Sequence, residues 1–204
     1  MGNWYTNVAL KDSNATEVLR TLARLGRHAI VNPAQNGWLT VFDKECDKFD
    51  LDVLESLALT LSHEHHCLAL PCFNADDDVL WLAIYENGRR NSRYASAVQQ
   101  FEDASEFPPI ADFALELCRA FERPDRVYQI RAVLWRPHSV LGLLRSVHLA
   151  VAYLFEIQRH TDLANLVGLP SASVGLGYDY VARGDLAEGM HTDNLLRTFG
   201  STTD

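Results

Sequence analysis

Cysteines are few in this chain, and no two of them have the spacing of a zinc or redox motif. They stand at positions 46, 67, 72 and 118, so the C-x-x-C pattern is absent. Four cysteines in 204 residues are also too few for a disulfide framework. Together with the lack of a secretory signal at the amino terminus, this predicts a reducing compartment, and we expect a cytoplasmic protein.

Long apolar runs and basic residues are scarce as well. The longest apolar stretch, 147–157, contains His148 and Glu156 and is shorter than the ~18 residues that a membrane-spanning helix needs. Residues 1–108 hold 9 basic and 16 acidic side chains, a net charge of −7, and the whole chain carries −9. Lysine is absent after residue 108. Because DNA and anionic membranes attract clustered Lys and Arg, both are disfavoured as partners.

Strand and helix patterns alternate over the first hundred residues. Asn14 and Asp50 precede two stretches with apolar residues at helical spacing and are predicted to cap those helices. The order β-α-β-β-α-β followed by a hairpin is that of a ferredoxin-like domain, with both helices on one face of an antiparallel sheet. The predicted strands are 3–10, 28–32, 37–43, 67–73, 79–85 and 90–95, and the predicted helices are 14–25 and 50–65.

The strand pattern ends at an acidic stretch that contains two prolines. Residues 99–108 are predicted to be a linker, because Pro108 cannot continue a helix or a central strand. The linker divides the chain into two parts, and we predict an α+β protein. It has a ferredoxin-like domain at 1–98, an all-α domain at 109–199 and a disordered tail at 200–204. The helices of the second domain are predicted near 110–121, 127–134, 144–159, 162–167 and 171–182.

Three histidines, a glutamate and a cysteine crowd into 61–67, at the end of the second predicted helix. The zinc-binding pattern H-E-x-x-H requires a histidine at its fifth position, where this chain has Cys67. His63 could still share a ligand-bearing face with His66 or Cys67. No third ligand lies nearby in the sequence, so we interpret the segment as a solvated helix end. No metal or other cofactor is predicted.

The motifs of nucleophilic catalysis are incomplete. Ser171 stands where G-x-S-x-G requires its first glycine, and Tyr180 takes the place of the third glycine in G-x-G-x-x-G. No catalytic residue is therefore assigned. A metal-dependent hydrolase with a site built from scattered residues stays open as an alternative, because catalytic groups need not be neighbours in sequence.

Residues 161–183 resemble a DNA-binding helix-turn-helix. Ala164 stands where the two helices pack closely, Gly168 falls in the turn, and Val174 lies inside the second helix. That second helix has no basic residue before Arg183, although arginine makes the commonest base contact. A regulator that binds DNA through this segment is therefore an alternative, and nucleic acid is not the expected partner.

Two groups of residues are candidates for binding another molecule. One is an acidic run at the tip of a predicted hairpin, which turn composition alone also explains. The other is a set of aromatic residues in the terminal hairpin of a sheet whose second face the two helices leave uncovered. These aromatic side chains would form a recognition surface or pack against the second domain. The candidate binding residues are Asp76, Asp77, Asp78, Trp81, Tyr85 and Tyr94.

The negative charge and the lack of an intact catalytic motif favour a non-catalytic interaction protein. We expect it to bind another protein with a basic surface through the open sheet face or the acidic hairpin, as an inhibitor or immunity protein does. Pairing of two copies of this chain through the open sheet face is a further expectation.

Overall fold

The computed structural model describes residues 2–135 and 153–198, which form six α-helices and seven strands. The helices are α1 (Ala15–Arg24), α2 (Leu51–Glu64), α3 (Ile110–Ala120), α4 (Val127–Trp135), α5 (Glu156–Val167) and α6 (Tyr178–Ala182). The strands are β1 (Tyr5–Lys11), β2 (Ala29–Gln35), β3 (Trp38–Asp43), β4 (Leu68–Ala75), β5 (Val79–Glu86), β6 (Arg89–Ala95) and β7 (Leu196–Arg197). None of these helices has the length and apolarity to cross a membrane.

The seven strands form one antiparallel sheet in the order β6-β5-β4-β1-β3-β2-β7. The predicted α+β class is confirmed, and so are the elements predicted for the first hundred residues, with small shifts at their ends. The ferredoxin-like topology is not confirmed, because the order of the whole sheet differs: β5 and β6 extend one edge and β7 the other. The all-α second domain is not confirmed either, because Leu196 of β7 pairs with Val31 of β2 and so completes the sheet.

Side-chain caps start the first two helices at the predicted residues. The carboxamide oxygen of Asn14 accepts hydrogen bonds from the backbone N–H groups of Thr16 and Glu17 at 3.0 and 3.1 Å. Asp50 caps α2 in the same way, accepting from two N–H groups of its first turn at 3.0 and 3.3 Å. These bonds satisfy N–H groups that have no partner inside a helix, so the local sequence is enough to fix where each helix begins.

Helices α1 and α2 cover one face of the sheet. Val18 and Leu22 of α1 are buried there, together with Leu54 and Leu61 of α2. Spacings of four residues in α1 and seven in α2 place each pair on one side of its helix, which explains why these two apolar stripes face the sheet. The strand side chains in this layer include Val8, Leu10, Val31, Leu39, Val41, Ala69 and Ala83.

The second half of the chain covers the opposite face. Phe113 and Leu117 of α3, Ile130 of α4 and Leu163 of α5 are buried in one cluster with side chains of β1, β4 and β5. The sheet is therefore enclosed between two helical layers, and the open face expected from the first half alone is not found. The physical reason is that the apolar stripes of the later helices are buried against this same sheet.

The helix predictions for the second half are met in part. α3 and α4 lie where predicted, and α5 begins at Glu156 and runs through the predicted 162–167 helix. The predicted helix at 144–159 falls mostly outside the described residues, and the predicted tail at 200–204 lies outside them entirely.

The stretch predicted to be a linker, 99–108, packs on the sheet through one arginine. Arg93 of β6 is 6% exposed, and its guanidinium lies 2.5 Å from the carboxylate of Asp103 and 3.1 Å from that of Glu106. It also lies over the ring of Phe107, 4.3 Å from the centroid. A cation with so little exposure requires counter-charge, which the acidic residues of this stretch supply.

A fully buried ion pair within α5 is also hydrogen-bonded to α4. Glu156 is 0% and Arg159 is 1% exposed, and 2.7 Å separates the carboxylate Oε2 from the guanidinium Nε. The same guanidinium donates to the carbonyls of Val133 and Leu134 at 2.6 and 3.0 Å and lies over the ring of Tyr153. Both carbonyls belong to residues of α4. Arg159 thus links α5 to α4, while Glu156, three residues earlier on α5, neutralises its charge.

We expect Glu156→Gln to lower the free energy of unfolding by about 3–5 kcal/mol, because the buried guanidinium loses the carboxylate that neutralises it. Glu116→Gln is the matched control, since Glu116 also pairs with an arginine three residues later but lies at the surface; we expect a loss below about 1 kcal/mol there. Urea unfolding followed by circular dichroism measures both. Equal losses in the two variants would show that burial of the pair has no effect on stability.

Candidate interaction surface

The acidic run predicted at a hairpin tip forms the three-residue connection between β4 and β5. Asp76 and Asp77 both have positive φ, +52° and +58°, and the N–H of Asp78 donates to the carbonyl of Ala75 at 2.9 Å. Two successive residues with positive φ make a type I′ turn, a conformation that aspartate tolerates better than most residues. Asp76 and Asp78 are exposed, whereas Asp77 is buried.

The buried Asp77 carboxylate holds the turn against two other parts of the chain. It accepts hydrogen bonds from the N–H of Asn3 at 2.8 Å, the side chain of Asn74 at 2.9 Å and the N–H of Ile157 at 3.3 Å. Its own backbone carbonyl accepts from the N–H of Glu156 at 2.9 Å. The turn is therefore tied to the segment before β1 and to the first turn of α5.

Asp76 fixes the segment that precedes β1. Its Oδ1 accepts hydrogen bonds from the N–H of Gly2 at 2.8 Å and from the indole N–H of Trp4 at 3.1 Å. Gly2 lies so close to the turn that a Cβ there would be 1.9 Å from the carbonyl oxygen of Asp76. The indole of Trp4 is thereby oriented beside a carboxylate while 41% of the residue remains exposed.

Two further aromatic rings support Trp4. The ring of Phe49 lies 4.8 Å from that of Trp4 at an interplanar angle of 72°, and Phe73 lies 6.0 Å from Phe49 at 76°. Phe49 has φ +62°, a left-handed conformation that costs a residue with a Cβ about 1–2 kcal/mol. Such strain persists only where the surrounding contacts hold it.

A second exposed ring lies next to a residue that is bonded to the turn. Phe155 is 49% exposed and directly precedes Glu156, whose N–H is bonded to the turn. We call the surface formed by the exposed carboxylates of the turn and these rings the hairpin patch. Its members are Trp4, Phe49, Phe73, Asp76, Asp78 and Phe155.

The three aromatic residues proposed for an open sheet face are part of the interior. Trp81 and Tyr85 are 0% and 2% exposed and lie under α2. Tyr94 lies on the opposite face, where its hydroxyl donates to the carbonyl of Leu134 at 2.9 Å. Burial raises the pKa of Tyr85 to about 12. The structure therefore places these rings in the two cores and offers none of them as a recognition surface.

The candidate metal ligands lie at the end of α2 without a third partner. The rings of His63 and His66 are 6.4 Å apart, and Cys67 is half-buried with its thiol 3.9 Å from the carbonyl of Leu61. Burial raises the pKa of the Cys67 thiol, which opposes formation of the thiolate that metals bind. Within the described ranges no three His, Cys, Asp or Glu side chains are grouped to hold an ion.

A polar cleft of about 340 Å³ lies where the end of α3 meets β1 and β5. Lys11 pairs with Glu122 at 2.6 Å, and Arg119 pairs with Glu86 at 2.8 Å, so each pair joins the sheet to the end of α3. Two of the candidate metal ligands also line this cleft. Its lysine and arginine are paired with glutamates across the cleft, which makes it a junction between the two halves of the chain.

A buried cluster of Tyr5, Cys72 and His160 has the residue types of a nucleophilic site. The Nδ1 atom of His160 lies 2.8 Å from the hydroxyl of Tyr5 and 3.5 Å from the Sγ of Cys72. Burial lowers the pKa of His160 to about 4 and raises that of the Cys72 thiol far above its usual range. Reactive cysteines are partly exposed thiolates in positive surroundings, so this cluster is built as interior packing.

The segment with helix-turn-helix spacing does not form one continuous second helix over 171–182. After α5 it makes a short 3₁₀ turn, Ser171–Ser173, and then the five-residue α6. Gly175 between them has φ +75°, which an α-helix excludes. Asn7 of β1 donates to the carbonyls of Ser173 and Leu176 at 3.1 and 2.9 Å, so the region that the DNA-binding alternative requires is bonded to the sheet.

Comparison with protein-family models, with curated proteins and with solved structures finds no match for this chain. The assignment of the hairpin patch therefore depends on the geometry of the described residues. The sequence indicates the acidic part of the patch but not its rings, because Trp4 falls in a predicted strand and Phe49 in the stretch between two predicted elements. The signal that was available is local: Phe49 directly precedes the predicted capping residue Asp50, where a chain turns sharply at the surface.

We expect the stability of the protein to fall by about 2 kcal/mol between pH 7 and pH 5 through His160 alone. The folded pKa lies below that of the unfolded chain, so the unfolded state takes up the proton first as the pH falls from about 6.5 to about 4. Urea unfolding of wild type and His160→Gln over this range measures the effect. His66→Gln, at an exposed histidine, is the control. A pH dependence that His160→Gln leaves unchanged would contradict the assignment.

We expect Asp77→Asn to lower the free energy of unfolding by about 2 kcal/mol, because the amide presents N–H groups to backbone donors and removes a charged acceptor. Asparagine tolerates the positive φ of this position, so backbone strain does not confuse the result. Asp78→Asn, its exposed neighbour, is expected to change stability by less than about 0.5 kcal/mol. Urea unfolding compares the two, and similar values for both would refute the anchoring role of Asp77.

Proposed function

We propose that this protein is a non-catalytic interaction protein that binds a basic protein partner through the hairpin patch. The observation that carries the proposal is the attachment of two exposed large apolar residues to one acidic turn: the indole of Trp4 donates to Asp76, and Phe155 directly precedes Glu156, whose N–H donates to Asp77. Aromatic side chains are the most frequent anchors of protein interfaces, and carboxylates beside them favour a partner of positive charge.

The patch is also built in advance of binding. Asp77 fixes the turn through bonds to Asn3, Asn74 and Ile157, and Asp76 fixes the indole of Trp4. A surface that is already ordered loses less conformational entropy when a partner binds. This supports recognition of a folded or extended protein segment by a rigid surface.

The charge of the chain supports the same class of partner. The net charge is −9, and long-range attraction between proteins of opposite charge raises the rate of association. An inhibitor or immunity protein that neutralises a basic partner would have this distribution. We further propose a cytoplasmic location, supported by four cysteines that are all free.

We also propose that β1 to β4 with α1 and α2 form a ferredoxin-like core to which the other strands are added. The support is the order β4-β1-β3-β2 at the centre of the sheet, with both crossover helices on one face. DNA binding and metal-dependent hydrolysis are not favoured by any contact among the described residues. Pairing of two copies through the sheet would require the covered face to be exposed.

The experiment is affinity capture from a lysate of the source cells with immobilised wild type, Trp4→Ala, Asp78→Asn and Tyr128→Ala. Tyr128 is 83% exposed on α4 and serves as a matched aromatic control outside the patch. We expect wild type and Tyr128→Ala to retain the same basic protein. Trp4→Ala is expected to reduce its retention at least about tenfold, since loss of an interface anchor costs about 2 kcal/mol or more.

Salt provides a second measurement of the same proposal. We expect retention by wild type to fall steeply as salt rises to about 0.5 M, where exposed charge pairs are screened. Asp78→Asn is expected to lower both the retention and its salt dependence. Thermal unfolding of each variant confirms that it is folded. A partner that binds wild type and Trp4→Ala equally, or one lost only with Tyr128→Ala, would move the interface away from the hairpin patch.

A further inference from the structure

Arginine lies over aromatic rings at several places in this protein. Each of four rings has a guanidinium above its face, at distances typical of cation–π contacts. Two of these pairs lie in the second helical layer, one on the 99–108 stretch and one at the end of α6. The pairs are Arg93 on Phe107 (4.3 Å), Arg131 on Trp135 (5.6 Å), Arg159 on Tyr153 (4.8 Å) and Arg183 on Tyr180 (4.4 Å).

Trp4 differs from these rings in its surroundings. In the part of the chain that the structure describes, no cation lies over its ring, although 41% of the residue is exposed. The charged group that contacts it is the carboxylate of Asp76, which accepts its indole N–H at 3.1 Å. Negative charge at the edge of an electron-rich ring makes the exposed indole a favourable place for a cation.

We propose that the hairpin patch binds an arginine side chain of the partner, with the guanidinium stacked on the indole of Trp4 and donating to the carboxylates of Asp76 and Asp78. This inference rests on the proposed function and adds the chemical group that the patch recognises. The partner supplies in trans the contact that the other four rings have within the chain.

The geometry favours arginine over lysine. The guanidinium is flat, so it stacks on an indole while its N–H groups reach carboxylates at the ring edge, whereas an ammonium is a point charge that keeps its hydration. In Asp76, Oδ1 is used by Gly2 and Trp4, and within residues 2–135 and 153–198 no hydrogen bond to Oδ2 is formed. Asp78 is exposed in the same turn. Two carboxylate groups are therefore placed to accept.

Phe49 acts as a positioning residue for this contact. Its ring meets that of Trp4 edge to face at 4.8 Å and is itself supported by Phe73. The backbone of Phe49 is strained at φ +62°, whereas a glycine at this position would not be strained. Phe49→Gly is accordingly expected to leave the fold intact while freeing the indole of Trp4 to reorient.

The test uses peptide probes and the indole N–H signals of the full chain. Hexa-arginine, hexa-lysine and hexa-glutamine are titrated at low salt into ¹⁵N-labelled protein. The four tryptophans give four indole resonances, and the Trp4→Phe variant identifies that of Trp4 by its loss. Trp135 is the matched control, because it is 66% exposed but already lies under Arg131.

We expect hexa-arginine to shift the Trp4 resonance and leave that of Trp135 in place, with a smaller shift from hexa-lysine and none from hexa-glutamine. Binding of labelled hexa-arginine, followed by fluorescence anisotropy, is expected to weaken about two- to fivefold in Trp4→Leu, which keeps an apolar side chain but no ring. Trp4→Phe is expected to retain most of the affinity, and Asp78→Asn to lose about two- to fivefold. Phe49→Gly is expected to weaken binding without loss of thermal stability.

Equal shifts at Trp4 and Trp135, or equal shifts with hexa-lysine and hexa-arginine, would overturn the proposal. Unchanged binding of hexa-arginine to Trp4→Leu would do so as well. Failure here is distinguishable from failure of the proposed function. If the captured partner depends on Trp4 but is held equally well by Trp4→Leu, the patch is an interface and the arginine assignment is wrong. If the partner is indifferent to Trp4→Ala, the proposed function itself is wrong.

Discussion

The buried carboxylate of Asp77 connects three parts of the chain that are far apart in sequence. It accepts from the segment before β1, from β4 and from the first turn of α5, so the sheet and the second helical layer share one acceptor. A buried carboxylate is tolerated only when its oxygens are satisfied. The positions of these three segments are therefore coupled. The exposed surface around the turn is held in place by the Asp77 carboxylate, which is itself buried.

The two faces of the sheet contact their helical layers through different kinds of interaction. The buried side chains between the sheet and helices α1 and α2 are largely apolar. The opposite face carries polar side chains at its centre, among them Asn7, bonded to the backbone after α5, and Thr40, which lies 2.9 Å from the hydroxyl of Ser173. Buried polar contacts specify one arrangement more strictly than apolar ones, because a shifted arrangement leaves their donors unpaired. The second half is thus placed in one register on the sheet.

Short sequence patterns predicted those features that depend only on neighbouring residues, such as helix caps and turns. Asn14 and Asp50 marked two helix starts because a cap requires only its own first turn, and the aspartates at 76–78 marked a turn because positive φ excludes most other residues. The packing of α3, α4 and α5 on the second face of the sheet could not be predicted, because an apolar stripe on a helix does not indicate which surface it packs against. The acidic half of the hairpin patch was predicted for the same local reason. Its aromatic half was not, because Trp4 reaches Asp76 across 72 positions of sequence.

The pairing of β7 with β2 has a consequence for the order of events in folding. The hydrogen bond between Ala29 and Thr198, at the end of this pairing, joins residues 169 positions apart. Synthesis from the amino terminus leaves that edge of β2 unpaired until residues 196–198 have emerged from the ribosome. An unpaired strand edge exposes backbone N–H and C=O groups that can pair with a strand of another chain. Although β7 is only two residues long, its pairing with β2 therefore removes an edge that could pair with another chain, and it does so late in synthesis.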